Sequence, residues 1–144
     1  MDNQQERLFN LGWIVGLLDG EGAFCLDVKR RDGKNDYYAP AIWVGNTKYS
    51  IIDKAIRFFR EVDIPFYVYS KKLPSGKKFT QIRIYGLKRV KRFFDKIDLG
   101  YFECRKDQAE ILLEYINLRL SKTYNSPMTD KEHDLALKLK LLNK

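Results

Sequence analysis

The chain has 144 residues, 44% of them hydrophobic, and carries 27 Lys and Arg against 19 Asp and Glu for a net charge of +8. That length and apolar content suit a single domain with its own core, and the two cysteines, Cys25 and Cys104, stand alone, which excludes a disulfide framework or a zinc cluster. The apolar stretch around residues 11–18 is far short of the ~20 residues that span a bilayer, and the opening Met-Asp-Asn-Gln-Gln-Glu lacks the positive start and apolar run of a signal peptide, so an intracellular protein, cytoplasmic or organellar and away from membranes, is expected.

In chain order, residues 6–19 predict a helix. Its apolar residues Leu8, Leu11, Ile14, Val15, Leu17 and Leu18 cover more than one stripe, so burial on several sides is expected. Gly12 and Gly16 are four apart and share a face, where missing side chains let another backbone come close. Strands at 23–30 and 37–44 flank the turn-rich 31–36 and predict a hairpin with a charged tip. Residues 50–62 return to helical spacing, with Ser50 as the expected N-cap. A second hairpin, 66–72 with 78–85, turns at Leu73-Pro74-Ser75-Gly76, and 87–97 is helical again. Helices at 105–121 and 129–142 follow, separated by Asn125-Ser126-Pro127.

This order predicts an α+β fold, one domain over 1–144, with an αββαββα core at 1–100 and extra C-terminal helices at 101–144. The antiparallel sheet is expected to be covered by helices on one face and open on the other. Alternation sets Phe24, Leu26 and Val28 against Cys25, Asp27, Lys29 and Arg31, and Ile82 and Ile84 against Gln81, Arg83 and Tyr85. Tyr67, Tyr69 and Lys71 alternate in the same way. The open face therefore gathers cations, aromatic hydroxyls and an amide, which suits a polyanion such as duplex DNA, or simply water.

The stretch from Gly12 to Gly22, Gly-Trp-Ile-Val-Gly-Leu-Leu-Asp-Gly-Glu-Gly, runs directly into Ala23-Phe24 and resembles the LAGLIDADG signature of homing endonucleases. Residues 14–22 align with the motif without a gap and keep Gly16, Asp19 and Gly22, with Glu21 at the second acid and Val15 in place of the small alanine. The spacing has a physical sense of its own. A glycine-faced helix that ends at Asp19-Gly20 throws Glu21 off its end where the chain enters the sheet. Two such helices packed together would set two Glu21 carboxylates side by side, an arrangement that calls for cations.

The resemblance implies an endonuclease-like αββαββα fold with a saddle-shaped sheet. One motif implies a homodimer, with Gly12, Val15, Gly16 and Asp19 at the interface. It further implies intron homing by double-strand cleavage of a long, pseudo-palindromic DNA site with Mg²⁺, for which Mn²⁺ is an expected substitute. Glu21 and the Gly20 carbonyl would hold the metal. Asn46 would orient the attacking water, or else cap its own turn. A basic residue opening the fourth helix, Arg105 or its neighbour Lys106, would face the scissile phosphate. The expected DNA-facing set is Asp27, Lys29, Arg31, Tyr37, Trp43, Tyr67, Tyr69, Lys71, Gln81 and Arg83, with Lys34, Lys72, Lys77 and Lys78 on the tips touching phosphates. His133 is the only histidine, which speaks against a histidine-based nuclease. Some members of this fold family do not cleave, and serve instead as RNA maturases or DNA-binding regulators. Lys88, Arg89, Lys91 and Arg92 would then offer a basic surface to RNA.

Overall fold

The structure is a computed structural model and describes residues 2–123 and 125–144. The first helix, α1 (Asn3–Glu21), starts three residues before the expected position because Asp2 and Gln5 cap each other. The Asp2 carboxylate accepts the Gln5 N–H at 2.8 Å and the Gln5 side chain accepts the Asp2 N–H at 3.2 Å. The helix also runs past Asp19-Gly20, so Glu21 is its last residue rather than the first beyond it. It stops at Gly22, where a Cβ would lie 2.5 Å from the Leu18 carbonyl oxygen. Glycine is required there by close approach.

Four strands follow the expected hairpins: β1 (Ala23–Lys29), β2 (Tyr37–Asn46), β3 (Tyr67–Lys72) and β4 (Lys78–Tyr85). They pair antiparallel in the order β1-β2-β4-β3, with Phe24 opposite Ile42, Ile42 opposite Ile84, and Val68 opposite Ile82. Pro40 lies within β2, and its carbonyl accepts the Gly86 N–H at 2.9 Å just past the end of β4. The donor that proline lacks would have faced the Gly86 carbonyl, which takes the Val90 N–H at 3.0 Å instead, so no acceptor is left waiting.

Helices α2 (Tyr49–Glu61) and α3 (Leu87–Lys96) cover one face of the sheet together with α1. Ile14 and Leu18 of α1, Ile52 and Phe59 of α2, and Val90 and Phe93 of α3 are fully buried with Phe24, Ile42, Ile82 and Ile84 of the sheet. Phe24 meets the rings of Phe93 and Phe102 edge-on, with centroids 6.4 and 5.3 Å away. The expected Ser50 cap is absent: Ser50 lies inside the first turn of α2, and Lys48 at the cap position supplies no side-chain bond. Asn46 takes over, its Oδ1 accepting the Lys48 N–H at 2.8 Å.

A 3-10 turn (Leu99–Tyr101) leads into α4 (Lys106–Leu120), and α5 (Asp130–Leu142) packs back on α4 and β1. The Tyr115 hydroxyl donates to the Tyr38 carbonyl at 2.7 Å and accepts the Tyr38 N–H at 3.2 Å, which ties α4 to β2. Glu132 of α5 is fully buried. It pairs with Arg119 at 3.0 Å and with Lys122, and accepts from the Thr129 hydroxyl at 2.9 Å. Burial pushes its carboxyl pKa up, but the bonds from Lys122, Thr129 and Arg119 together outweigh burial and hold it below the ordinary value. The architecture is the expected α+β arrangement, αββαββα with an open antiparallel sheet and extra C-terminal helices. Among the described residues no helix is long and apolar enough to cross a membrane.

Candidate active site and nucleic-acid interface

The end of α1 brings a small set of polar groups to the place where β1 begins and β2 ends. The exposed Glu21 carboxylate accepts the Asn46 Nδ2–H at 3.1 Å. Because the other end of the same amide caps the Lys48 turn, both functions expected of Asn46 as alternatives, holding a turn and presenting an amide at the acid, coexist in one side chain. Asp19 faces away from Glu21's partner, toward the start of α4. Its carboxylate accepts the Glu103 N–H at 3.2 Å and the Arg105 N–H at 2.8 Å. Burial pushes the Asp19 pKa up, yet the N–H groups of Cys104, Arg105 and Glu103 outweigh it and hold the carboxyl below its ordinary value.

Arg105 is the N-cap residue of α4 and brings no side-chain cap of its own, so Asp19 caps the helix from across the fold. Arg105 and Glu21 thus hang from one anchor, with Asp19 two residues before the acid and bonded to the backbone of the base. The Arg105 Nε is buried without a partner among the described residues, whereas Lys106 is exposed. Among the described residues no three His, Cys, Asp or Glu side chains come together as a metal cluster. One chain offers Glu21 and backbone carbonyls such as that of Gly20. These are hard oxygen donors of the type that suits Mg²⁺, but too few to hold it alone.

Gly12, Gly16 and Gly20 line one face of α1, and a Cβ at any of them would meet open space. Leu8, 62% exposed, continues this strip. Val15 is placed otherwise than expected, for it is covered within the chain and belongs to the core. The Asp19 carboxylate is likewise occupied by the α4 turn. On the neighbouring face Lys54 lies over the rings of Trp13 and Phe9, at 4.4 and 5.8 Å from their centroids.

The open sheet face is a mosaic of cations and rings. The Arg83 guanidinium sits 4.9 Å from the Trp43 ring and 4.8 Å from that of Tyr69, and its Nε donates to Gln81 Oε1 at 2.6 Å. Strand register makes this group inevitable, since Trp43 and Tyr67 both stand opposite Arg83 and Tyr69 opposite Gln81. Lys29 covers Tyr85 at 5.0 Å and Lys71 approaches Phe79 at 5.8 Å. Asp27 is half-buried opposite Ala39. Arg31 lies past the end of β1, not on the sheet face, and stacks over Tyr37 at 4.5 Å while donating to the Asn35 carbonyl.

Two members of this surface lie outside the expected DNA-facing set. Phe79 lies across Gly45, where a Cβ would fall 2.2 Å from its Cζ, so the ring fills the space a side chain would take. Its alternation with Gln81 and Arg83 was the available signal. Arg89 comes from α3, reaching the edge of the sheet to bond the Tyr67 hydroxyl and stack 5.0 Å from that ring. A cavity of about 610 Å³ between β1 and α5 is lined in part by Cys25, Asp27, Tyr38 and His133, and Glu21 is not part of its lining. Burial, then Asp27, pushes the Cys25 thiol up to about 11, so it is no thiolate nucleophile at neutral pH.

This architecture is the fold of the LAGLIDADG homing endonucleases. The homing endonuclease I-CvuI in complex with its target superposes with a TM-score of 0.72 over 97% of this chain and 85% of that one, at 18% identity. An archaeal intron-encoded homing endonuclease complexed with DNA gives 0.61 over 94% and 97%, at 14% identity. The LAGLIDADG homing endonuclease I-SmaMI bound to cleaved DNA gives 0.63 over 90% of this chain but only 42% of that one, at 18% identity. No protein-family model and no curated protein matches the sequence.

Proposed function

We propose that the chain is a site-specific DNA endonuclease of the homing type, acting as a homodimer on a long, roughly palindromic duplex. The observation that carries this is the position of Glu21: an exposed acid at the end of a glycine-faced helix, held by Asn46, beside a sheet face rich in Arg, Lys and aromatic rings. Similarity of fold to endonucleases seen with DNA supports the same reading. Packing two chains through Gly12, Gly16 and Gly20 would bring a second Glu21 and a second Gly20 carbonyl to the first, and phosphate oxygens would complete an oxygen set for Mg²⁺, or Mn²⁺ in its place. When bound there, such an ion would acidify water and offset charge on the leaving oxygen.

The chain's own residues supply the rest. Asn46, fixed at both ends of its amide, orients Glu21 and leaves that acid one defined direction. Arg105, or Lys106 beside it, faces the scissile phosphate and stabilises its added charge. The sheet face reads base edges with Gln81 and Arg83 while Lys29 and Lys71 meet phosphates. A maturase or regulator would keep the binding and lose the cut.

The test is strand cleavage of a pool of long random duplexes, with Mg²⁺ or with chelator, by the natural chain and by Glu21→Gln. Discrete Mg²⁺-dependent double-strand cuts that vanish in Glu21→Gln, with duplex binding retained, are the expected result. Tight, salt-sensitive binding with no cuts would replace the endonuclease by a binding protein.

A further inference from the structure

The tip of the first hairpin is tied to a distant part of the chain. Residues 30–36 join β1 to β2, and Asn125 in the α4–α5 connection holds them with its side chain and its backbone together. Asn125 Oδ1 accepts the Asn35 N–H at 3.1 Å and an Arg31 Nη2–H at 3.0 Å. Its own carbonyl accepts the Asn35 Nδ2–H at 2.9 Å. Arg31 closes the figure by donating to the Asn35 carbonyl from Nε at 3.1 Å and from Nη2 at 2.7 Å. Asn125 has φ of 62°, a left-handed conformation that asparagine tolerates better than most residues. Within the tip itself Arg30 pairs with Asp36 at 3.2 Å.

We infer that Asn125 is a positioning residue for DNA recognition, a brace that sets the β1–β2 tip in one orientation against the outer base pairs of the site. The inference rests on the proposed DNA-cleaving function and adds to it a recognition element outside the sheet. Its location along the duplex follows from the strand. Glu21 adjoins the start of β1, and the tip begins after seven residues of strand, roughly 23 Å away at about 3.3 Å per residue. At about 3.4 Å per base pair, the tip stands some seven pairs outward from the acid. A tip fastened by Asn125 keeps Arg31, Lys34 and Tyr37 in register with those pairs. Released, the same tip would still bind phosphate but would discriminate bases poorly.

The experiment compares the full chain with Asn125→Gly and Asn125→Asp on a random-sequence duplex pool, scoring base preference at each position, alongside melting temperature and exchange of the Asn35 amide. Glycine suits the left-handed backbone and keeps the carbonyl, so only the side-chain acceptor is lost. Aspartate keeps that acceptor. The expected result is that Asn125→Gly flattens preference by about fivefold at pairs six or more from the cut and speeds Asn35 exchange by a similar factor, the size of one net hydrogen bond. Preference near the cut stays unchanged, and Asn125→Asp restores the outer preference. Unaltered outer preference in Asn125→Gly, or an equal loss at every position that tracks melting temperature, would overturn the brace. Absence of any base preference in the natural chain would overturn the DNA reading itself, and the brace's role with it.

Discussion

Replacing Asp19 with alanine separates the two duties of the α1 terminus. The change removes the acceptor for the Glu103 and Arg105 N–H groups, at 3.2 and 2.8 Å, and leaves Glu21 and Asn46 chemically intact. Arg105 has no cap of its own, so the loss resembles deletion of an N-cap, about 0.5–2 kcal/mol, with about 0.3–1 kcal/mol more from the anion at the helix N-terminus. The sum is about 1–3 kcal/mol. For a chain of this length that corresponds to a fall of roughly 3–10 °C in melting temperature. Asp19→Asn, which keeps one acceptor oxygen, should lose about half as much. Both variants should still bind duplex DNA, because the sheet face is untouched. Cleavage well below the melting point should fall tenfold or more, since in the proposed role of Arg105 a small displacement misplaces it against phosphate. Calorimetry, filter binding and single-turnover cleavage read the three quantities. A melting temperature within 1 °C of the natural chain would refute the capping argument. Equal loss of binding and cleavage would refute the link from Asp19 to Arg105.

Glu132→Gln should cost about 3 kcal/mol, because it leaves Arg119 and Lys122 beside a neutral group in a buried site. Since the folded Glu132 pKa is lowered, its contribution is complete above about pH 5 and is lost as pH falls through the folded value, so denaturant melts should show the gap between the two proteins narrowing toward pH 3. Gly16→Leu puts a side chain into the open strip of α1 without a clash inside the chain; sedimentation should show monomer where the natural chain forms the proposed dimer, with melting of the monomer little changed, and a persisting dimer would move the interface elsewhere.

The element order and the Gly12-to-Gly22 motif were legible because both are local patterns: helical and strand periods, and glycines at fixed offsets. The errors fall where the folded backbone, not the local period, decides which groups meet. Ser50 looked like a cap by its own sequence, but Asn46 does the capping because the end of β2 brings its amide to Lys48. Val15 looked available on the glycine face, yet it is taken into the core with Ile14 and Leu18. Arg31 read as the next residue on an alternating strand, but β1 ends at Lys29 and the arginine turns back to the tip that Asn125 fastens. Glu132 shows both sides at once. Thr129 with Glu132 three residues later is a visible capping-box pattern, whereas its burial depends on Arg119 and Lys122 from α4 and the following turn.

These same long-range ties explain how so short a chain can keep an acidic helix end open yet fixed. Glu21 is exposed and among the described residues has one side-chain partner, Asn46, so nothing in the local helix would fix its direction. Rigidity comes from behind it. Gly22 is pressed on Leu18, Leu18 is fully buried, and Asp19 is bonded to the backbone entering α4. The acid is therefore mounted on a tightly held turn while its own oxygens stay accessible. A single chain so built presents half of an oxygen set. In the proposed dimer the second half arrives on an equally rigid turn, and cleavage then depends on assembly through the glycine strip rather than on any rearrangement within either chain.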